Sequence, residues 1–340
     1  MYPGQCTLCL KTTDLTAMRN FYQALGMKVH SERPQSVLLN NGDLDLALMT
    51  FLPAHCLNFR GSDIDSLHDI SSASGHSFDT QPHRYSKEFV AADADGISWM
   101  MMDPDSNNIF FDTNDNETGE KGKSLALQRV LDATAKQLIN VGATRACQDD
   151  FKAHLLDQFL PPDQRVATEV LDTAPLTEPG SFAGFFSYCL KTTDTVAARD
   201  FYQSIGLSVS GNNDENWVSM GTPDFHIDLM SFLGENWLNF RGADVFELYR
   251  RLHANGFELV GEPSTYSEEE TGVRGMHWQT KDPDGNVVYF DTTDPEQITT
   301  GAPKLLQRVL DTALAQLTAI EADRACIDAF EAEIVEKFSG

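Results

Sequence analysis

Lysine and arginine are scarce in this sequence, where 25 basic residues stand against 51 acidic ones and the net charge is −26. Nucleic acids and anionic membrane surfaces bind clusters of Lys and Arg, so we predict neither as a partner. An acidic surface attracts cationic ligands, although the simpler explanation is a well-hydrated surface. No apolar run reaches the ~20 residues of a membrane-spanning helix, which predicts no membrane segment.

Cysteine is also rare, and six residues scattered along 340 are too few for a disulfide scaffold. Such cysteines are typical of buried, small apolar residues in a reducing compartment. The first residues lack the basic and then apolar stretch of a signal peptide. We therefore expect a cytoplasmic protein.

The sequence contains two similar copies of one pattern, about 180 residues apart. A period this long indicates a duplicated domain rather than small stacked repeats. The two copies can be compared with each other, position by position. The matching segments are 9–14 with 189–194, 21–23 with 201–203, 57–61 with 238–242, 103–105 with 282–284, 111–113 with 290–292 and 127–132 with 306–311.

Hydrophobic periodicity in copy one predicts a strand, a helix and three strands, followed by a second round of the same order. The first round consists of a strand at 6–11, a helix at 15–25 and strands at 28–31, 36–40 and 44–51. The second consists of a strand at 56–60, a helix at 63–74 and strands that end with 99–102 and 108–113. Residues 103–106 have the Asp and Pro content of a turn between the last two strands.

Each copy is followed by a predicted helical extension with one apolar face. We place domain one at 1–120, its extension at 121–160, a Pro-containing linker at 161–182, domain two at 183–299 and its extension at 300–340. The apolar faces comprise Leu127, Val130, Leu131, Leu138 and Ile139, and Leu306, Val309, Leu310, Leu317 and Ile320.

This layout resembles the vicinal oxygen chelate superfamily, which includes glyoxalase I, extradiol dioxygenases and bleomycin-resistance proteins. The resemblance covers roughly 110 residues of each half. It implies an α+β fold of tandem glyoxalase-like domains, each with two βαβββ units that form a cup-shaped mixed sheet around a binding floor. The residues that carry it are Lys11-Thr12-Thr13-Asp14, Phe21-Tyr22, Leu25-Gly26 and Asp103-Pro104-Asp105, with Asp194, Phe201-Tyr202, Ile205-Gly206 and Asp282-Pro283-Asp284-Gly285-Asn286 in copy two.

The resemblance also implies four metal-ligand positions on each cup floor, filled by His, Gln or Glu in the metal-using members. A divalent metal needs three or four converging donors. Neither copy supplies them, even with the neighbouring His55 and His226, so we predict no cofactor and keep a divergent divalent-metal site as the alternative. The positions are Thr7, Ala47, Cys56 and Phe110 in copy one, and Ser187, Asp228, Trp237 and Tyr289 in copy two.

Strand alternation places four polar residue types on both cup floors, because residues two apart share a face. They could grip an anionic or hydrogen-bonding ligand, since Arg binds carboxylate or phosphate in bidentate geometry. Alternatively Lys11 or Arg60 pairs with Asp112 and stiffens the cup, which the presence of the set in both copies favours. The sets are Lys11, Asn58, Arg60 and Asp112, and Lys191, Asn239, Arg241 and Asp291, with Leu57, Phe59, Leu238 and Phe240 on the opposite face.

Copy two has an aromatic floor and an imidazole near a carboxylate. His226 and Asp228 share one face of a strand, which could provide a general base oriented by a carboxylate. Trp237 and Tyr289 could form an aromatic pocket beside His277, or they could simply fill volume.

Other candidate motifs are weak. Cys6 and Cys9 fall on opposite faces of a strand, and the acidic residues Asp93 and Asp95 lack the further ligands of a calcium loop. Glu268 to Glu270 is most simply a solvated loop. The sequence contains no phosphate-binding G-x-x-x-x-G-K-S/T motif and no G-x-S-x-G motif.

We predict a metal-independent small-molecule binding protein of the bleomycin-resistance kind, with an aromatic or cationic ligand in domain two. An alternative is a lyase, isomerase or dioxygenase that uses His226 and Asp228 or a divergent metal. A scaffold with filled cups, which self-associates through its helical extensions, is a third. The predicted ligand-binding residues are Ser187, Lys191, Trp237, Asn239, Arg241, His277 and Tyr289.

Overall fold

The computed structural model describes residues 2–86, 94–165, 182–267, 273–293 and 298–338, without the side chains of 298–302. Most of the predicted linker, from 166 to 181, lies outside the described residues. The acidic residue Asp93 and the loop from Glu268 to Glu270 lie outside them as well. Within the described residues no helix is long and apolar enough to cross a membrane.

The predicted strand and helix order is confirmed in both copies. The strands of copy one are β1 (Gln5–Lys11), β2 (Lys28–Arg33), β3 (Ser36–Asn40), β4 (Asp45–Met49), β5 (Cys56–Arg60), β6 (Phe78–Tyr85), β7 (Gly96–Met102) and β8 (Asn108–Asn114). Those of copy two are β9 (Phe185–Lys191), β10 (Ser208–Asn213), β11 (Trp217–Thr222), β12 (Phe225–Met230), β13 (Trp237–Arg241), β14 (Ser264–Ser267), β15 (Arg274–Lys281) and β16 (Val287–Thr293).

Aspartates cap the N-termini of the first two helices. Asp14 accepts a hydrogen bond from the Ala17 amide at 2.9 Å, and Asp63 accepts one from Ser66 at 3.1 Å, which satisfies free N–H groups of the first turn. The helices are α1 (Leu15–Ala24), α2 (Ile64–Ala73), α3 (Gly119–Asn140), α4 (Arg145–Phe151), α5 (Thr195–Ser204), α6 (Val245–Ala254), α7 (Ile298–Ala319) and α8 (Arg324–Phe330). A π-helical turn continues α4 at Lys152–Leu156 and α8 at Glu331–Val335.

Each copy forms one mixed sheet of eight strands from two βαβββ units. The order is β2-β3-β4-β1-β5-β8-β7-β6 in copy one and β10-β11-β12-β9-β13-β16-β15-β14 in copy two. The two units meet where β1 pairs antiparallel with β5, and β9 with β13. The α+β fold with tandem βαβββ domains is therefore confirmed.

One face of each sheet is apolar and is buried under helices, as predicted. Leu57 and Phe59 are 1% and 0% exposed, and Leu238 and Phe240 are 2% and 0% exposed. These side chains belong to one continuous hydrophobic core that extends through both copies. The opposite face of each sheet is therefore left to form the cup.

The two copies contact each other through pairs of equivalent bonds, which give the chain an internal twofold arrangement. Tyr22 Oη donates to Asp282 Oδ2 at 2.9 Å, and Tyr202 Oη donates to Asp103 Oδ2 at 2.9 Å. Both aspartates belong to the predicted hairpin turns. Each hairpin therefore closes its own sheet and also binds the first helix of the other copy.

Adjacent contacts repeat the same exchange. The hairpin residue Asp105 accepts from the amide of Thr193 at 2.9 Å, and Asp284 accepts from the amide of Thr13 at 3.2 Å. The predicted segments at 11–14 and 191–194 are therefore docking points for the other copy. Two turn aspartates complete the set, since Asp43 accepts from the Phe186 amide and Asp224 from the Cys6 amide.

The helical extensions pack against each other within the chain. Helix α3 contacts α7, and the rings of Phe151 and Phe330 lie edge to face at 6.3 Å. Val130, Leu131 and Leu138 of the predicted apolar face are at most 8% exposed. Self-association through the extensions stays a prediction, and it would have to use their other faces.

Candidate functional site

Strand register brings the predicted ligand positions together on one face of each sheet. In copy one Thr7 lies opposite Asn58, which lies beside Phe110. In copy two Ser187 lies opposite Asn239, and Asn239 lies beside Tyr289. The remaining positions of copy one, Ala47 and Cys56, lie on either side of Cys9 in the sheet. Those of copy two, Asp228 and Trp237, lie on either side of Cys189.

The arginine and the aspartate of the polar set form an internal ion pair in each cup. Arg60 lies 3.0 Å from Asp112, and Arg241 lies 2.8 Å from Asp291. These pairs support the predicted stiffening of the cup by Arg60 and Asp112. They weaken the case for Arg241 as a residue that grips a ligand, because a guanidinium bound to a carboxylate has fewer free donors.

The lysines lie at the strand ends, where their side chains are turned to a loop. Lys11 Nζ donates to the Pro53 carbonyl at 3.1 Å, and Lys191 Nζ donates to the Gly234 carbonyl at 3.1 Å. Both residues are exposed. Of the two side chains expected as the partner of Asp112, Arg60 forms the pair and Lys11 does not, and Lys191 lies at the rim rather than on the floor.

Cup one is bound to its helical extension by a buried carboxylate. Glu117, whose side chain is 3% exposed, lies 2.7 Å from Arg60 and 2.7 Å from Arg129 of helix α3. Burial alone would raise the pKa of Glu117, but the two guanidinium groups outweigh it and lower the pKa. The polar floor of this cup therefore holds the extension in place.

A divalent metal of the kind used in the family does not fit either floor. The part of the chain that the structure describes contains no group of three or more His, Cys, Asp and Glu side chains able to hold a metal ion. At the four family positions of cup one there is one thiol, that of Cys56, and no imidazole or carboxylate. Cup two offers a single carboxylate at these positions, Asp228, and neutral donors hold that group.

Asp228 accepts three hydrogen bonds from side chains of cup two. Ser219 Oγ donates to Oδ1 at 2.5 Å, Trp217 Nε1 donates to Oδ1 at 2.8 Å, and Ser187 Oγ donates to Oδ2 at 2.5 Å. In the described ranges no Lys or Arg lies within 4 Å of this carboxylate. Neutral dipoles fix its position without neutralising its charge.

An aromatic platform lies beside this carboxylate. The rings of Trp237 and Tyr289 are stacked at 5.2 Å with an interplanar angle of 24°, and both residues are half-buried. Trp237 and Trp217 pack against a small apolar cluster of Cys189, Met230 and Leu233. Cup two therefore combines three partly exposed aromatic side chains with one charged group.

His277 lies at the edge of the platform and is fixed at both ring nitrogens. Its Nδ1 is 3.2 Å from Tyr289 Oη, and its Nε2 is 2.9 Å from Ser264 Oγ. A neutral imidazole can donate at one nitrogen and accept at the other. His277 therefore holds Tyr289 in place on the floor, and its predicted contact with a ligand stays a prediction.

The predicted His226–Asp228 pair is not formed. Among the described residues no hydrogen bond joins the two side chains, and both Asp228 oxygens are engaged by Ser187, Ser219 and Trp217. Burial, with Arg308 nearby, lowers the pKa of His226 to about 4. The Asp228 carboxylate does not orient this imidazole, because serine and tryptophan side chains on the adjacent strands donate hydrogen bonds to both of its oxygens.

His226 instead lines a small cavity between the two copies and the extensions. This cavity has a volume of ≈ 30 Å³ and also contacts Asp43, Gln137 and Gln316. A second cavity of ≈ 70 Å³ lies between cup one and helix α3. Water fits in either space, whereas known cavities that bind a benzene-sized molecule are about 150 Å³.

Two residues of the candidate site were not singled out from the sequence. Trp217 and Ser219 lie on β11, whose register partners include Met230 and Asp228. The matching residues of copy one are Ser36 and Leu38, which pair with Met49 and Ala47. A comparison of the two copies along this strand would have revealed that Trp217 changes together with Asp228.

Neither a protein-family model nor a curated protein sequence matches this chain. Among solved structures, an Mn(II)-bound glyoxalase from Novosphingobium aromaticivorans matches with a TM-score of 0.51 and 11% identity, over 85% of this chain and 81% of that chain. An extradiol ring-cleaving dioxygenase from B. fuscum matches with a TM-score of 0.49 and 16% identity, over 85% of this chain and 71% of that chain. A catechol 2,3-dioxygenase matches with a TM-score of 0.47 and 11% identity, over 86% of this chain and 88% of that chain.

The glyoxalase match, together with the strand order, shows that this chain has the fold of the vicinal oxygen chelate superfamily. The predicted resemblance is confirmed at the level of the fold. Identity this low carries no activity from one protein to the other.

Proposed function

We propose that cup two binds a small organic molecule without the help of a metal ion. Support comes from the stacked, half-buried rings of Trp237 and Tyr289 on the sheet face of copy two that carries Asp228. Aromatic side chains with polar neighbours are the usual lining of small-molecule sites. In copy one the matching positions hold Cys56 and Phe110, so the platform belongs to copy two alone.

The donor chemistry of the floors supports the metal-free part of this proposal. The single carboxylate at a family ligand position, Asp228, is held by two hydroxyls and an indole N–H. A metal would need further converging donors, and the neighbouring floor positions hold Ser187, Trp237 and Tyr289.

The first test is a binding screen on the full chain. Thermal unfolding is followed with small aromatic acids, alcohols and amines, and separately with Mn²⁺, Fe²⁺, Ni²⁺ and Zn²⁺, because a ligand that binds the native state raises the melting temperature. We expect a shift with aromatic compounds and none with metals. Metal analysis of the purified protein should find well under one atom per chain.

A matched pair of variants assigns the binding to one cup. Trp237→Cys with Tyr289→Phe gives cup two the floor residues of cup one, and we expect it to abolish the shift. The control Cys56→Ala changes the equivalent floor position of cup one and should leave the shift intact. Stoichiometric copurifying metal, or a shift that survives the double substitution, would contradict the proposal.

A further inference from the structure

The charge of Asp228 distinguishes cup two from an ordinary aromatic pocket. Three neutral donors hold the carboxylate, and no basic side chain of the described residues lies within 4 Å of it. A partly buried carboxylate without a cationic partner carries a desolvation cost. The floor of cup two therefore presents one carboxylate that a cationic ligand could pair with.

A second acceptor lies beside it. Asn239 Oδ1 is buried and has no hydrogen-bond partner among the described residues. Asn239 is the register partner of Ser187, and Ser187 donates to Asp228, so the two acceptors are separated by one serine. Buried acceptors of this kind are normally satisfied, so the ligand is expected to bring hydrogen-bond donors.

Copy one carries an acid, Asp45, on the strand equivalent to β12, two residues before Ala47, which is the counterpart of Asp228. Asp45 accepts from Gln5 at 2.6 Å and from Asn40 at 2.5 Å, and Lys136 Nζ of helix α3 donates to Asn40 at 3.0 Å. Counted from the matching residues Arg129 and Arg308, the position of Lys136 in copy two is Ala315. The second extension thus lacks a lysine at the position from which the first extension reaches Asn40, the hydrogen-bond partner of Asp45.

Four floor positions differ together between the copies. Trp217, Asp228, Trp237 and Tyr289 of copy two replace Ser36, Ala47, Cys56 and Phe110 of copy one. Aromatic faces attract cations through their negative electrostatic potential, and tryptophan does so most strongly. A carboxylate, a free amide oxygen and three aromatic rings together are complementary to a protonated amine.

We infer that the ligand of cup two is an organic ammonium ion attached to a flat apolar group, with the ammonium at Asp228 and Asn239 Oδ1 and the apolar group on Trp237 and Tyr289. This inference rests on the proposed function of cup two. The net charge of −26 adds a long-range attraction for such a cation, which salt should weaken.

Three probes of similar shape separate the contribution of ligand charge to affinity from that of the aromatic ring. 2-Phenylethylammonium, 2-phenylethanol and phenylacetate are titrated into the full chain, and binding is read by calorimetry and by tryptophan fluorescence. We expect the ammonium to bind on the order of tenfold more tightly than the alcohol, with the carboxylate weakest. Raising the salt concentration should reduce the difference in affinity between the ammonium and the alcohol.

Asp228→Asn tests the carboxylate itself, since the amide oxygen can still accept from the serines and the indole. We expect this variant to bind the ammonium and the alcohol about equally, while the control variant Asp45→Asn, which removes an acid from the equivalent strand of copy one, keeps the preference for the ammonium. Asn239→Asp adds a second charge and should tighten ammonium binding severalfold, which keeps the test open if Asp228→Asn does not fold.

The outcomes separate the two levels of the proposal. Equal binding of the ammonium and the alcohol by the unchanged protein, lost in the Trp237→Cys, Tyr289→Phe variant, would overturn the ammonium assignment and leave small-molecule binding intact. Failure of all three probes to bind would overturn both.

Discussion

The buried tyrosine–aspartate bonds between the copies should carry a measurable part of the stability. Tyr22 is 0% exposed, and its hydroxyl donates to Asp282 at 2.9 Å. Burial raises the pKa of Asp282, and hydrogen bonds from Asn286 and Tyr22 oppose that shift. Tyr22→Phe removes one donor from this carboxylate and changes little else in shape.

The expected cost follows from the charge of the acceptor. A hydrogen bond to a charged group contributes about 1.5–3 kcal/mol, so Tyr22→Phe should lower the free energy of unfolding by about 2 kcal/mol at pH 7. Tyr202→Phe, which loses the equivalent bond to Asp103, should cost a similar amount. The two hydrogen bonds share no partner, so the double variant should lose about the sum of the two single losses in free energy of unfolding.

The pH dependence has a defined sign. The lost bond favours the ionised form of Asp282, so its removal raises the pKa of that carboxyl further. The penalty of Tyr22→Phe is therefore largest where Asp282 is ionised in the parent protein, and it shrinks as the pH falls through the pKa of Asp282.

Urea unfolding, followed by circular dichroism and tryptophan fluorescence, measures these differences. Tyr249→Phe is the control, because Tyr249 is half-buried and its hydroxyl makes no hydrogen bond in the described part of the chain; it should stay within about 0.5 kcal/mol. Equal effects of Tyr22→Phe and Tyr249→Phe, or a penalty that is independent of pH, would refute the reasoning.

Two further predictions concern the junction of the copies and the extensions. Burial raises the pKa of Asp224 to about 6, above the ~3.9 of an unfolded chain, so its contribution to stability is complete below pH ~4 and is lost as the pH rises through 6. Asp224→Asn should gain about 3 kcal/mol relative to the parent between pH 4 and pH 7 in urea unfolding, and a difference that does not change with pH would count against this. Burial and Arg308 lower the pKa of His226 to about 4, so ligand binding by the parent protein should show no inflection near pH 6.5 from this residue, and His226→Ala should leave binding by cup two within about twofold. A tenfold loss of binding or of any turnover would restore the catalytic hypothesis for His226.

The sequence predicted the secondary structure well because each element carries local signals. The helix from Leu15 has an Asp cap and apolar residues at helical spacing, and the strand at Cys56–Arg60 alternates. The hairpin at Asp103-Pro104-Asp105 was recognised as a turn for the same reason. Its second role, as the partner of Tyr202 and Thr193, depends on residues about 90 to 100 positions away and has no local signal.

The candidate site was predictable only to the level of which residues share a face. Alternation correctly placed His226 and Asp228 on one side of β12, but it could not show that hydroxyls from β9 and β11 take the carboxylate. The same limit applies to Arg241, which strand alternation puts on the floor and Asp291 neutralises. Partner choice in a sheet depends on side-chain reach across strands, and sequence spacing does not encode it.

The two copies show which positions the frame requires. Identical residues in both, such as Arg60 and Arg241 or Tyr22 and Tyr202, make ion pairs or bind the other copy, so a change in either would weaken the whole chain. Among the described residues, the floor positions that differ between the copies, such as Asp228, Trp237 and Tyr289, make no hydrogen bond or ion pair with the other half. A floor can therefore change from Ala47 to its counterpart Asp228 without cost to the frame, provided that local donors hold the new charge, and Ser187, Ser219 and Trp217 do so. The chemistry of cup two is thus separable from its fold, and for this reason substitutions at Trp237, Tyr289 and Asp228 should alter binding far more than stability.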